Sequence, residues 1–421
     1  MNRRTVIIGL DGVPYNLLKS FADGDIMPHT KGLISKGILR KMQSSIPEIS
    51  SVAWSSIITG ANPAEHGIFG FTDFPPHTYR LTYPNFNNLK SHPFWNKKKG
   101  GKSIVINVPS TYPARELNGI MISGFVALDL ERAVFPASLI PDLQCMEYKV
   151  DADLDKGHQS LELFIKDLKR TNEARISAYR LLWNYEWDTF MLVFTGTDRL
   201  MHFLWDAYEN VSHSFHKEFI DYFRRIDEII GEIIFKMNDN DNLVILSDHG
   251  FEKLEYDVYI NALLKKEGFL QFKNDKTISF SSINYGTKAF ALDPARIYIH
   301  LKDKYPRGDV SYDDRENVIK DLERLFMDFT IHNRKVIKHV YRKEEIYKGP
   351  YFDHAPDLVL IGNKGFNLKA AINAENICSK GIFTGKHTQD DAFLLVNKKC
   401  SDEIIPDNVN VSDVIRIMDQ L

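Results

Sequence analysis

Carboxylates and imidazoles recur in this sequence directly after apolar runs. "TVIIGL" is followed by Asp11 and Gly12. "TFMLVF" leads into "TGTDRLMH", with Asp198 and His202, and "NLVILS" leads into Asp248 and His249 of "SDHGF". Each fragment has an ordinary reading. Asp11 reads as a cap on a turn or helix, Asp198 and His202 as a surface pair one helical turn apart, and "SDHG" as a plain strand exit. The sharper reading comes from the set, because three strand ends deliver carboxylate and two add imidazole. Mixed oxygen and nitrogen ligands of this kind suit zinc, with manganese and iron as less selective alternatives. His387, in "GKHTQDDAFLLV", stands just before another strand-like run. Alone it reads as a loop residue; beside two half-built ligand sets it is a candidate last ligand.

A second feature is "IPEISSVAWSSIITG", residues 46–60, where four serines and a threonine fall within fifteen residues. Ser50 is placed to cap a short helix closed by Gly60, and capping is its ordinary reading. The same position lies at the positive end of the helix dipole, which favours a bound phosphate and an alkoxide. A serine hydroxyl is a weak nucleophile unless a base or a metal activates it. A nucleophilic Ser50 therefore needs the metal that the aspartates and histidines offer. Ser55, Ser56 and Thr59 read as packing or surface hydroxyls along that helix.

The elements that must position these groups are legible as alternating strands and helices. Short β-branched runs at residues 5–10, 103–108, 189–194, 242–247 and 357–362 read as buried strands. Long amphipathic patterns at 161–185 and 212–238, and a shorter one at 309–326, read as helices. The alternation predicts an α/β fold, a doubly wound, mostly parallel sheet flanked by helices. Ligands of such sheets sit outside the carboxyl ends of the strands, where Asp11, Asp198 and Asp248 would all fall. Residues 252–351 change character and are expected to form a smaller inserted α+β lobe that acts as a substrate cap, with 1–251 and 352–421 as the core. Residues 79–102 form another aromatic and basic excursion, expected to help roof a pocket.

With 421 residues, one large domain carrying an insertion is the natural prior. A net charge of −3 gives no electrostatic case for a nucleic-acid polymer or a membrane surface as partner. Cys145, Cys378 and Cys400 are far apart and odd in number, against a disulfide framework or a zinc ribbon. No run has the length of a membrane span, and the opening "MNRRTVIIGLDG" is too short a run for a secretion signal, so the expectation is a soluble, cytoplasmic protein.

Taken in order, "IIGLDGV", "PEISSVAWSSIITGANPAEHGIFGF", "NVPSTYPARELNGIMISGF", "TGTDRLMHFLWD", "LSDHGF", "APDLVLI" and "GKHTQDDAFLL" resemble the alkaline phosphatase superfamily, and within it the type I phosphodiesterase/nucleotide pyrophosphatase branch. The resemblance runs from residue 6 to about 395. It implies two divalent metal ions, zinc first and manganese or iron as alternatives. One would be held by Asp11, Asp248, His249 and the nucleophile oxygen, the other by Asp198, His202 and His387. The branch places its nucleophile, usually threonine, ten residues before the glycine of a T-G pair. Counting back from Gly60 gives Ser50, ahead of its neighbour Ser51. His66 of the "PAEHGIFGF" motif takes a structural role, ordering the loop after the helix. The implied activity is metal-dependent hydrolysis of a small-molecule phosphoester through a phosphoserine intermediate.

Nucleotide pyrophosphatases of the branch carry an asparagine near the "HGI" loop that contacts a phosphate oxygen. "HGIFGFTDF" has none, leaving Thr72 or a backbone N–H for that contact. No C/S-x-P-x-R sulfatase signature is present, and "LDGVPYN" does not match the phosphoglycerate mutase relatives. Lys90, Lys97, Lys98 and Lys99 read either as a phosphate-attracting group or as a solvated loop. Trp54 and Phe71 read either as base-stacking rings or as packing. The alternative functions are a phosphomonoesterase or soluble phospho-group transferase of the same superfamily, or a binding protein without catalysis.

Overall fold

The computed structural model describes residues 3–75, 77–97, 100–273, 278–398 and 404–421. Lys98, Lys99 and Cys400, raised above, lie outside them. The chain forms two compact units: Met1–Ala61, Asn85–Glu252 and Ile382–Leu421 make one, and Asn62–Pro84 and Lys253–Gly381 the other.

The first unit is built on a nine-stranded sheet. Its order is Val409–Asn410, Ile38–Gln43, Ala392–Val396, Asn242–Leu246, Thr5–Leu10, Thr189–Phe194, Ser103–Val108, Gly119–Ser123 and Val134–Phe135. The run from Asn242–Leu246 through Gly119–Ser123 is parallel; Ala392–Val396 and Val134–Phe135 enter antiparallel. The fold is thus α/β with a large, mostly parallel sheet flanked by helices. Thr5–Leu10 and Thr189–Phe194 are buried along their whole length, as strands covered on both faces must be. Helices Leu161–Leu182, Gly196–Glu209 and His216–Lys236 supply the cover. In the last of these Phe219, Phe223, Ile226, Ile230 and Ile233 make one buried stripe at three- and four-residue spacing. Truncating a buried ring such as Phe223 to alanine costs about 3–5 kcal/mol in cores of this kind.

Register explains why one edge of this sheet carries polar groups. Leu10 pairs with Phe194, and Gly9 with both Val193 and Leu246. The three strands therefore end together, and Asp11, the segment leading to Asp198, and Asp248 leave from the same edge.

The second unit has its own core around an antiparallel four-stranded sheet, ordered Ala289–Leu292, Arg296–Ile299, Leu358–Gly362 and Ile337–Arg342. The run 357–362 therefore lies not in the parallel sheet, as its apolar character suggests, but here. A short apolar run records burial and not the identity of its neighbours. The helix expected at 309–326 begins later, at Arg315–Asp328, after a turn in which Ser311 Oγ donates to Asp314. A three-stranded sheet of Phe366–Lys369, Tyr256–Tyr259 and Cys378–Ser379 completes the unit. Among the described residues no helix is long and apolar enough to cross a membrane.

Candidate metal centre

Ser50 opens the helix Ser50–Thr59, every residue of which is buried. It does not cap that helix, contrary to its ordinary reading. The cap position is Ile49, in extended conformation and without a side-chain cap bond. This frees Ser50 Oγ, which stands 3.2 Å from His249 Nε2. Ser51 Oγ is buried and has no hydrogen-bond partner among the described residues. Ser55 and Thr59 return their hydroxyls to the carbonyls of Ser51 and Ser55, both at 2.6 Å, as buried helix hydroxyls do. Gly60 closes the helix with a φ of +65°, in the left-handed region. Lys97 Nζ donates to the Thr59 carbonyl at 2.7 Å, so this lysine serves the helix end. Lys90 is exposed. Trp54 is fully buried, with its ring so close to Gly9 that a Cβ there would lie 2.5 Å away; it is a core residue and not a stacking surface.

The acidic and imidazole groups gather next to Ser50. His249 Nε2 lies 3.3 Å from Asp248 Oδ2, 3.8 Å from Asp11 Oδ1 and 4.0 Å from Asp198 Oδ1. His387 Nε2 is 3.0 Å from Asp198 Oδ1 and 3.0 Å from His202 Nε2, which is itself 3.5 Å from Asp198 Oδ1. Two compact threefold sets result, Asp11–Asp248–His249 and Asp198–His249–His387, with His202 beside the second. All seven residues expected from the sequence belong to the first unit and come together in this cluster.

All three histidines point the same nitrogen inward. Nδ1 of His249, His202 and His387 faces the carbonyl of Gly250, Gly385 and Glu48, at 3.1, 3.2 and 3.0 Å. A carbonyl only accepts, so Nδ1 of each ring carries a proton, and Nε2 is the atom turned to the cluster, able to ligate a cation once it carries no proton itself. This backbone clamp is the usual support of a metal-binding imidazole. Asp11 Oδ1 and Asp248 Oδ2 are buried with no donor among the described residues, while Asp248 Oδ1 accepts from Gly12 N–H at 3.0 Å. Orphaned carboxylate oxygens and converging imidazole lone pairs fit a divalent cation of borderline softness.

The electrostatics follow from burial. Burial first, then the charges of Asp248 and Asp198, push Asp11 well above the usual carboxylate range. Burial pushes Asp248 up to about 6. Burial also acts against ionised Asp198, but His202, a hydrogen bond from His387, and Arg199 together hold it below its ordinary value. His202 is pushed down to about 4 and His249 well below its ordinary value, both mainly by burial. For His387 burial is overcome by the hydrogen bond and charge of Asp198, and the net direction is up. Three carboxylates in one water-poor volume repel one another, and a bound cation relieves that cost.

The local fold explains the placement. Asp198 and His202 lie one turn apart on Gly196–Glu209, whose start is tied to the Asp11 loop by Thr197 Oγ1 donating to the Asp11 carbonyl at 2.6 Å. The helix is kinked at Leu204. The His202 carbonyl accepts from Thr384 N–H at 2.8 Å, and Thr384 Oγ1 accepts from Trp205 N–H at 2.8 Å. The strand Gly385–Thr388, with His387, is thereby docked on the kink. Gly385 is required there, since a Cβ would come 2.4 Å from the Met201 carbonyl. Phe251 packs edge-on against His202 and His387, and Phe383 covers His202.

Two supporting residues were not anticipated. Arg199 donates from Nη1 to Asp198 Oδ2 at 2.8 Å, and from Nε and Nη2 to Asp151 Oδ2 at 2.9 and 2.7 Å. Its position next to Asp198 is the only sequence clue; Asp151 offers none. His66 and Thr72 belong to the second unit. His66 is buried and its Nδ1 accepts from Ile68 N–H at 3.1 Å. Thr72 gives its carbonyl and hydroxyl to Arg296 Nη2, at 2.8 and 3.2 Å.

A family model described as type I phosphodiesterase / nucleotide pyrophosphatase matches residues 5–390. The chain belongs to that family. As a type I phosphodiesterase / nucleotide pyrophosphatase family member it is a phosphoric ester hydrolase, and small-molecule phosphoesters are substrates that fit the family. Among solved structures it is similar to phosphonoacetate hydrolase from Sinorhizobium meliloti 1021, at 15% identity and a TM-score of 0.65, over 99% of this chain and 95% of the other. It is also similar to murine ectonucleotide pyrophosphatase / phosphodiesterase 5, at 12% identity and a TM-score of 0.57, over 99% and 94%. The human counterpart gives 13% and 0.55, over the same shares. At these identities the likeness is one of fold. No curated protein matches the sequence.

Proposed function

We propose that this chain hydrolyses a phosphodiester or a nucleotide pyrophosphate with Ser50 as nucleophile and two divalent metal ions as cofactors. The observation that supports this most is the gathering of six carboxylate and imidazole side chains beside Ser50 Oγ, at the start of a buried helix. Asp11, Asp248 and His249, with Ser50 Oγ, would hold one ion; Asp198, His202 and His387 would hold the other. Zinc matches the donor set best, and manganese or iron accept the same donors. When bound, such ions supply Lewis acidity, lowering the pKa of a hydroxyl or a water and offsetting charge on phosphoryl oxygens.

The chain's own groups do the rest. Ser50 Oγ attacks phosphorus in line, losing its proton to solvent. The bond from phosphorus to the leaving oxygen breaks, and a phosphoserine remains. Water then attacks the same phosphorus, the Oγ–P bond breaks and Ser50 is restored. The positive end of the Ser50–Thr59 helix dipole favours the alkoxide and the phosphoryl group throughout. Phe251 and Phe383 pack against the imidazoles and hold their orientation, and Arg199 holds one Asp198 oxygen so that the other faces His202 and His387. The lobe at 252–351 and the excursion at 79–102 are assigned the role of selecting the substrate.

The test is a panel of chromogenic phosphodiester, phosphomonoester and nucleotide pyrophosphate substrates with added zinc or manganese, run on the native protein and on Ser50→Ala. Diester or pyrophosphate turnover, lost in the variant while its metal content is kept, is the expected result. Equal turnover in both proteins removes Ser50 from the role.

A further inference from the structure

The second unit holds a cavity of its own, of about 360 Å³, lined by Lys304, Arg315 and Lys343 together with Tyr298 and Tyr305. The balance of charge around it is unusual. Arg315 is matched by the buried Asp357, to whose Oδ1 it donates from Nε at 2.9 Å, with Nη2 at 2.8 Å, and by Glu344, whose Oε1 lies 3.2 Å from Nη2. Lys343, itself buried, lies 4.7 Å from the centre of the Phe352 ring, and its one carboxylate neighbour within 4.0 Å among the described residues is Asp357 Oδ1, at 3.9 Å. Asp357 Oδ2 is already taken by Ile299 N–H at 2.8 Å.

Lys304 has no carboxylate within 4.0 Å among the described residues. Its Nζ donates to the Asp353 carbonyl at 3.1 Å and lies 5.9 Å from the centre of the Tyr305 ring. Burial lowers the pKa of this ammonium from its ordinary value. Asp73, also in the wall, is pushed the other way by burial, towards its neutral form. The remaining carboxylates, Asp303 and Asp353, are exposed at the rim. Lys304 and Lys343 thus both line the cavity with no carboxylate oxygen closer than 3.9 Å among the described residues, whereas Arg315 is paired with both Asp357 and Glu344. Lys304 is half-buried, and an ammonium partly withdrawn from water with no carboxylate beside it is a place where an anionic ligand would be favoured.

We propose that this cavity binds a small ring-bearing molecule with an anionic head, a carboxylate or a phosphate. The head lies between Lys304 and Lys343, and the ring lies against Tyr298 and Tyr305. The volume falls within the range of small-ligand sites and suits a single ring with its head group.

The experiment is calorimetric titration of the full chain, metal-loaded, with benzoate, phenylphosphonate and the neutral benzamide, repeated on Lys304→Met, Lys343→Gln and Ser50→Ala. Benzoate or phenylphosphonate should bind in preference to benzamide; which of the two binds more tightly separates a carboxylate head from a phosphate head. Affinity should fall at least tenfold in Lys304→Met, fall in Lys343→Gln, and survive in Ser50→Ala. Lys304→Met without ligand should also melt no lower than the native protein, because it removes a half-buried charge that has no carboxylate partner within 4.0 Å among the described residues. A lower melting temperature would mark Lys304 as a structural residue and overturn the proposal. So would equal affinity in native and Lys304→Met proteins, benzamide binding as tightly as the anions, or no binding of either anion up to about 10 mM. If Lys304→Met does not fold, Lys343→Gln carries the same binding test.

Discussion

Arg199 Nη1 donates to Asp198 Oδ2 at 2.8 Å while Nε and Nη2 of the same guanidinium clasp Asp151. One oxygen of Asp198 is thereby fixed, and the other faces two imidazoles. Supporting contacts of this kind commonly contribute 10–100-fold to metal affinity. Arg199→Met should weaken metal binding by roughly that factor. Arg199→Lys should restore only part of it, since a lysine cannot hold both carboxylates with a planar fork. Metal titration of the apo proteins against a chelating indicator checks both, independently of turnover.

Gly385→Ala should loosen the same centre from the opposite side. The added Cβ would sit 2.4 Å from the Met201 carbonyl, so the strand that carries His387 must move off the helix kink. Overpacking of this sort costs about 1–3 kcal/mol. A melting temperature several degrees lower, together with weaker metal binding, is the expected outcome. Unchanged metal affinity in this variant would mean that the docking of Thr384 and Gly385 on the kink does not position His387.

Acid should destabilise the second unit before it titrates ordinary carboxylates. Burial depresses the pKa of His66 to about 3 and that of His300 to about 4. Both rings are neutral in the fold, and His300 Nε2 lies 2.6 Å from Tyr79 Oη. Because the native values lie below the unfolded one, the unfolded chain binds more protons between them. Their contribution is present in full above about pH 6.5 and is lost as pH falls toward 4 and then 3. At pH 4.5 each ring should cost roughly 2–3 kcal/mol. Thermal melts between pH 7.5 and 4.5 check this, and His300→Asn should flatten the slope.

Much of the first unit was legible because interior parallel strands are buried on both faces and read as unbroken apolar runs. Thr5–Leu10, Ser103–Val108, Thr189–Phe194 and Asn242–Leu246 are of that kind. The strands beyond them are less so. Ile38–Gln43 carries Arg40 and Lys41, and Val134–Phe135 and Val409–Asn410 are two residues long. The run at 357–362 shows the limit, since its side chains are as apolar as those of the parallel strands yet it pairs antiparallel in the second unit.

The clustered aspartates and histidines stood out because shared strand ends bring distant residues to one edge. The parts of the site that were hidden act through backbone or through remote partners. The carbonyls of Glu48, Gly250 and Gly385 have no side-chain signature, and Asp151 reaches Arg199 from a loop. Likewise nothing in "EISSVAW" shows that Ile49 takes the cap position and leaves Ser50 Oγ free to face His249.

The covalent step offers the most direct test. Acid-quenching the metal-loaded protein during turnover of a phosphodiester, followed by peptide mass spectrometry, should place one added phosphoryl group on Ser50. Ser50→Ala should carry none. A phosphoryl group on Ser51 or elsewhere, or turnover that persists in Ser50→Ala, would contradict the account.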